Sequence, residues 1–169
     1  MNEKKRVLFV CVENSCRSQI AEAFARIHGG ENVEAYSSGS RPSGVVNPKA
    51  IESMREIGYD LSAHRSKFLD EIPEVKYDFV ATMGCGDECP LISCIRREDW
   101  SISDPKNMSS KEFRGVRDEI ERRVRTMLTS LTIDLLLRLS RIRFVCGNSP
   151  IDGRIVLGRA EVRAIFISG

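Results

Sequence analysis

The sequence predicts an α/β protein, a four-stranded parallel sheet with helices on both faces, followed by a C-terminal extension of unassigned role. Three observations carry that expectation. Strand-like and helix-like stretches alternate through residues 1–131, as in chains built from βαβ units. Residues 7–10 are an unbroken apolar run, suited to a strand buried on both faces of a parallel sheet. Ile20, Ala21, Phe24 and Ile27 then recur at helical spacing, and Gly29-Gly30 offers a stop.

The remaining elements follow in order. Residues 33–37 alternate well enough for a second strand, and the stretch from Ser38 to Gly44 is rich in turn formers. Asn47-Pro48 opens a helix whose apolar positions are Ala50, Ile51, Met54 and Ile57, closed by Gly58. Residues 77–83 read as the third strand, and residues 100–102 as a short fourth. Ser109 with Glu112 three residues later is a capping box. The helix it starts places Phe113, Val116, Ile120, Val124, Met127 and Leu131 on one face, to cover the sheet. Residues 1–131 are the expected catalytic domain and 132–169 an extension in which Cys146 has no assigned role.

Composition excludes several classes. Hydrophobic residues at 41% and charged residues at 30% suit a globular protein rather than a disordered one. Lys plus Arg exceed Asp plus Glu by only 26 to 24, well mixed along the chain, so no nucleic-acid or membrane-surface partner is expected. No apolar stretch is long enough to span a bilayer, and the run after Arg6 is too short for a signal-peptide core. A cytoplasmic enzyme is expected, and in a reducing compartment six cysteines point to catalysis, transient redox chemistry or metal rather than structural disulfides.

The chemistry concentrates where the first strand meets the first helix. Cys11 falls at the strand's carboxyl end, and Arg17 follows after five intervening residues, where the helix begins. Backbone N–H groups of Val12, Glu13, Asn14, Ser15, Cys16, Arg17 and Ser18, added to the positive end of the helix dipole, form a concave site for a tetrahedral oxyanion. The same field favours a thiolate at Cys11. Arg17 supplies a planar fork that places two parallel hydrogen bonds on the anion's oxygens. Glu13 is out of character, since a carboxylate turned toward the ligand would oppose binding, so it is expected to point outward.

The segment C-V-E-N-S-C-R-S-Q-I-A-E resembles the phosphate-binding loop shared by low-molecular-weight protein tyrosine phosphatases and the arsenate reductases of the same fold. It is more similar to the reductase branch, because Gln19 stands where the phosphatases usually carry proline. The resemblance covers roughly Lys5 to Leu131. It implies that Ser37 supports the loop from the neighbouring strand and that Asp104, in Asp104-Pro105, is the general acid. In some reductases of the family a carboxylate joins the equivalents of Asn14, Glu22 and Ser37 in holding a monovalent cation. Lys67 stands in that place here, so no potassium dependence is expected. His64, in a polar loop, is expected to be a structural or surface residue rather than a ligand or catalytic group.

A second cysteine group follows the third strand, at Cys85, Cys89 and Cys94. Loops leaving the carboxyl ends of neighbouring strands share a crevice, which brings Cys85 and Cys89 within reach of Cys11. A thiol relay, an inert set of thiols and a zinc site are the open readings. The zinc reading lacks the paired Cys-x2-Cys hairpins of structural sites, and Cys89-Pro90 resembles the reductases' cysteine-proline pair. The resemblance therefore implies reduction of arsenate, or binding of a phosphate-like oxyanion, by Cys11, Arg17, Cys85, Cys89 and Asp104. Thioredoxin or an equivalent dithiol would restore the thiols, with no cofactor and no metal. Whether Cys94 substitutes for Cys89 stays open, as do two other functions, hydrolysis of phosphomonoesters or tyrosine phosphate and non-catalytic oxyanion or redox sensing.

Overall fold

The computed structural model describes residues 4–84 and 91–141. Its elements are β1 (Lys5–Cys11), α1 (Arg17–Gly29), β2 (Val33–Gly39), α2 (Pro48–Arg55), β3 (Tyr77–Thr82), β4 (Cys94–Asp99) and α3 (Ser110–Arg141). The four strands form one parallel sheet in the order β2-β1-β3-β4. The chain reverses its direction of travel across the sheet at β1, and that switch point opens a crevice beyond the strands' carboxyl ends. Register aligns Cys11 with Gly39 on β2 and Val10 with Thr82 on β3, so β1, β2 and β3 deliver their ends to the same crevice.

Burial explains the apolar run in β1, whose residues Val7, Leu8, Phe9 and Val10 are all inaccessible to solvent. On one face, Val7, Phe9, Phe79 and Ala81 share a core with α1, α2 and α3. On the other, Leu8, Val10 and Val80 pack against Leu69, Ile72 and Val75, from a segment containing a short 3-10 helix at Leu69–Glu71. Helical structure therefore covers both faces, α on one and 3-10 on the other. No helix among the described residues is long and apolar enough to cross a membrane.

The fourth strand differs from expectation. It is Cys94–Asp99, not residues 100–102. Its sequence, Cys-Ile-Arg-Arg-Glu-Asp, carries no apolar alternation because it is an edge strand, where charged side chains are tolerated and discourage pairing with other chains. Arg96 lays its guanidinium over the Phe79 ring, 5.5 Å from the centroid, and bonds to Glu98. Trp100 owes its apolar character to the core, where it packs against Phe9 and Phe79 with ring centroids 5.7 and 6.2 Å away. Ser101, at φ +44°, then turns the backbone out of strand geometry.

The capping box forms as read. Ser109 N donates to Glu112 Oε2 at 2.9 Å, and Glu112 N donates to Ser109 Oγ at 3.4 Å. Phe113, Ile120, Val124, Met127 and Leu131 are buried on one face of α3, with Val116 packed beside them. The helix runs past residue 131 without a break, so the expected boundary lies inside one continuous element. Removing the reciprocal cap with Ser109→Ala should lower the unfolding free energy by about 1 kcal/mol in urea denaturation; an unchanged midpoint would show that α3 is held by packing alone.

Candidate active site

The loop between β1 and α1 is shaped by where its carbonyls go. Those of Cys11, Val12, Glu13 and Ser15 accept bonds from the backbone N–H groups of Ser40, Arg41, Ser43 and Asn47, at 3.3, 2.9, 2.9 and 2.9 Å. The Asn14 carbonyl takes Gln19 Nε2 at 3.1 Å, and that of Cys16 takes Ile20 N at 3.0 Å, the first bond of α1. All six carbonyls from Cys11 to Cys16 thus point away from the loop's centre. In a trans peptide the N–H lies opposite the C=O, so the amides of residues 12–17 turn inward. Asn14 N, directed at Cys11 Sγ from 3.2 Å, is a direct instance. Gly39 makes the arrangement possible, because a Cβ there would lie 2.6 Å from the Val12 carbonyl oxygen.

Asn14 is the loop's keystone, buried and at φ +47°, a left-handed conformation that non-glycine residues seldom adopt. Its side chain holds it there. Oδ1 accepts from Lys67 N at 2.8 Å and Gln19 Nε2 at 2.9 Å, while Nδ2 donates to Ser18 Oγ at 2.8 Å and Ser37 Oγ at 3.0 Å. Lys67 N can only donate, so the amide orientation is fixed by the chain itself. With its oxygen occupied as an acceptor, the Ser18 hydroxyl is left to direct its proton at Cys11 Sγ, 3.0 Å away. Two donors therefore converge on the sulfur, an environment that suits negative charge there. Cys16 is also buried, and desolvation pushes its thiol up to about 11, so it stays protonated near neutral pH.

Ser37 Oγ donates its hydrogen bond to Glu22, a carboxylate only 2% exposed. Lys67 Nζ lies 3.4 Å from Glu22 Oε2, and Arg26 pairs with Oε1. Lys67, which the resemblance set in place of a cation-binding carboxylate, thus brings its own ammonium to this buried acid, beside the guanidinium of Arg26. Gln19 was read only as a marker of the reductase branch, yet it is fully buried and bonds Asn14 twice and the Arg65 carbonyl once. Its Oε1 faces His64 Nδ1 at 3.0 Å, which fixes the proton on Nδ1 and leaves Nε2 to accept from the Tyr59 hydroxyl at 3.0 Å. His64 is structural, as expected.

Arg17 and Asp104 meet above the loop. Arg17 Nη1 donates to the carbonyls of Met83 and Ile102 at 2.8 and 2.7 Å, which seats the guanidinium between the end of β3 and the turn after β4. Nη2 pairs with Asp104 Oδ2 at 3.2 Å, and the Asp104 side chain is 52% exposed. Glu13 bonds to Lys106 Nζ at 2.7 Å, a partner the sequence did not disclose.

The other cysteines separate clearly. Cys94 opens β4 opposite Tyr77, six residues along the sheet from the level of Cys11, or about 20 Å. It is held at the far end of the sheet and is not placed to take over from Cys89 while β4 stays paired. Cys85 and Cys89 lie outside the described residues, and with them most of the alternative zinc set. Gly84, which precedes Cys85, sits against Arg17, since a Cβ on it would be 3.8 Å from Nη1.

Residues 6–136 match the family described as low molecular weight phosphotyrosine protein phosphatase. The chain belongs to that family. Among its relatives, "Arsenate reductase 2" of Staphylococcus saprophyticus is 42% identical over 127 residues, spanning 73% of this chain and 95% of its own length. A solved arsenate reductase in its phosphate-binding state superposes with a TM-score of 0.66 at 37% identity, over 75% of this chain and 98% of that one. A thioredoxin-dependent arsenate reductase of Corynebacterium glutamicum gives 0.61 at 31% identity, over 78% of this chain and 64% of that one.

Two outcomes test the support of this phosphatase-family loop. With Lys67 already facing Glu22, exchanging sodium for potassium at constant ionic strength should leave turnover unchanged; a several-fold rise in potassium would contradict that arrangement. Burial holds His64 below its ordinary value of 6.5. As the pH falls below 6.5 the unfolded chain takes up a proton that the fold refuses, so stability falls with acidification and levels off once His64 protonates in place. Urea denaturation between neutral and mildly acid pH should show a steeper loss for the native chain than for His64→Gln, and parallel losses would contradict the assignment.

Proposed function

We propose that the chain reduces arsenate to arsenite, with Cys11 as nucleophile and the loop amides and Arg17 as the oxyanion cradle. The observation carrying this reading is the set of six outward carbonyls around a sulfur that receives two donors. Cys11 thiolate attacks arsenic, and an oxygen departs with a proton from Asp104. The inward amides and Arg17 stabilise the negative oxygens through that step without reorganising. Cys85 thiolate then attacks Cys11 Sγ. The sulfur–arsenic bond breaks with its electron pair going to arsenic, which leaves as arsenite, and a Cys11–Cys85 disulfide remains. Cys89 attacks Cys85 and frees Cys11, and thioredoxin or an equivalent cytoplasmic dithiol reduces the Cys85–Cys89 disulfide.

Cys85 rests in this scheme on its place in the sequence directly after Gly84, and Cys89 on its place four residues further on and on the resemblance of Cys89-Pro90 to the reductases' cysteine-proline pair. Cys16 is left out of it because burial keeps its thiol protonated. The family's phosphatase chemistry is the second reading, favoured by the same cradle, in which water would hydrolyse a phosphoryl-cysteine and Cys85 would be dispensable. Against tyrosine phosphate, Asp104-Pro105 continues into Lys106-Asn107 and presents no aromatic wall to a phenyl ring.

Arsenate-dependent oxidation of a thioredoxin system separates the two. Turnover by the native chain, abolished in Cys11→Ser and in Cys85→Ser, is the expected result. Hydrolysis of p-nitrophenyl phosphate undiminished in Cys85→Ser, with no response to arsenate in the native chain, would establish the phosphatase instead.

A further inference from the structure

Glu13 is the one acidic side chain in an anion-binding loop, and its neutralisation is built into the fold. Oε1 takes a bond from Lys106 Nζ at 2.7 Å and Oε2 one from Ser15 Oγ at 3.3 Å. Lys106 belongs to the turn that carries Asp104, whose Oδ1 accepts Lys106 N at 3.2 Å while Oδ2 pairs with Arg17 at 3.2 Å. Four charges of alternating sign, Arg17, Asp104, Lys106 and Glu13, therefore run around the mouth of the cradle. They tie the Asp104 turn to the loop at two points; the Arg17 side chain is only 9% exposed, whereas those of Asp104 and Lys106 are about half exposed.

We propose that the Glu13–Lys106 pair is a specificity-determining latch, which admits a bare tetrahedral oxyanion and disfavours one esterified to an aryl group. The proposal rests on the oxyanion reading of the loop and extends it. A free oxyanion presents only oxygens to the mouth and leaves the pair hydrated. An aryl ester projects its ring through that mouth and must strip water from a carboxylate and an ammonium, which is unfavourable without new partners. Lys106 also cancels the charge of Glu13. Without it, a carboxylate beside the cradle opposes every incoming dianion, more strongly at low salt. The hydrogen bond from Lys106 holds the Glu13 carboxyl below its usual range, so the pair stays charged at neutral pH. As an exposed pair it adds little to stability, so its effect belongs to binding and not to folding.

Calorimetric titration of the full chain with inorganic phosphate and with phenyl phosphate tests this. Lys106→Met should weaken inorganic phosphate binding by about threefold to tenfold at low salt, with the urea midpoint unchanged. The double variant Glu13→Gln/Lys106→Met should recover inorganic phosphate affinity and narrow the preference over phenyl phosphate. Unchanged affinity in Lys106→Met, or a double variant as impaired as the single one, would overturn the latch while leaving the cradle intact. A native chain that binds no inorganic phosphate would overturn both.

Discussion

Everything at this site depends on the outward pull on six backbone carbonyls. The five residues between the end of β1 and the start of α1 have no regular secondary structure of their own to satisfy their peptide groups, and buried peptide groups do not stay unpaired. The stretch from Ser40 to Asn47 supplies donors to four of the carbonyls, the side chain of Gln19 to a fifth and α1 to the last. Once the oxygens are committed outward, the N–H groups have nowhere to turn but inward. The proposed anion site is thus a consequence of how the loop's other half is satisfied. The parallel register that sets Gly39 beside Cys11 is what brings the donors within reach.

A second layer keeps the first in place. Asn14 sits in a conformation that costs free energy on its own, and it persists because four hydrogen bonds from its side chain over-determine it. Those bonds lead to a buried acid, Glu22, whose charge is compensated by Lys67 and Arg26. The orientation of each group along this line follows from its neighbour: Glu22 can only accept, Ser37 therefore donates to it, Asn14 donates to Ser37 and Ser18, and the Ser18 proton is left for Cys11. The line ends on the Cys11 sulfur, which takes its hydrogen bond from groups that began as structural supports.

The parts legible from the sequence were those written locally. An apolar run ending in Cys11, a helix starting at Arg17, and Ser109 three residues before Glu112 are adjacent in the chain and in space, so periodicity and capping rules reach them. β4 was not legible, because an edge strand needs no apolar alternation and Trp100 mimics a strand residue while serving the core from a turn. The Glu13–Lys106 pair spans 93 positions and the bond from Gln19 to His64 spans 45, distances over which no local pattern speaks. Lys67 was singled out only through the family resemblance; its partner Glu22 lies on a helix whose own pattern shows an ordinary polar position. The length of α3 was legible as a helix but not in its extent, since the apolar face that defines it ends near Leu131 while the helix continues to Arg141.

The central claim is that the amides of residues 12–17 converge on one point beside Cys11. Titrating the 15N-labelled reduced chain with inorganic phosphate, and following every backbone amide by NMR, measures this directly. Large saturable shifts concentrated at residues 12–17, with the Arg17 side chain moving in step, are the predicted result. Shifts spread elsewhere on the surface, with those amides unmoved, would contradict it.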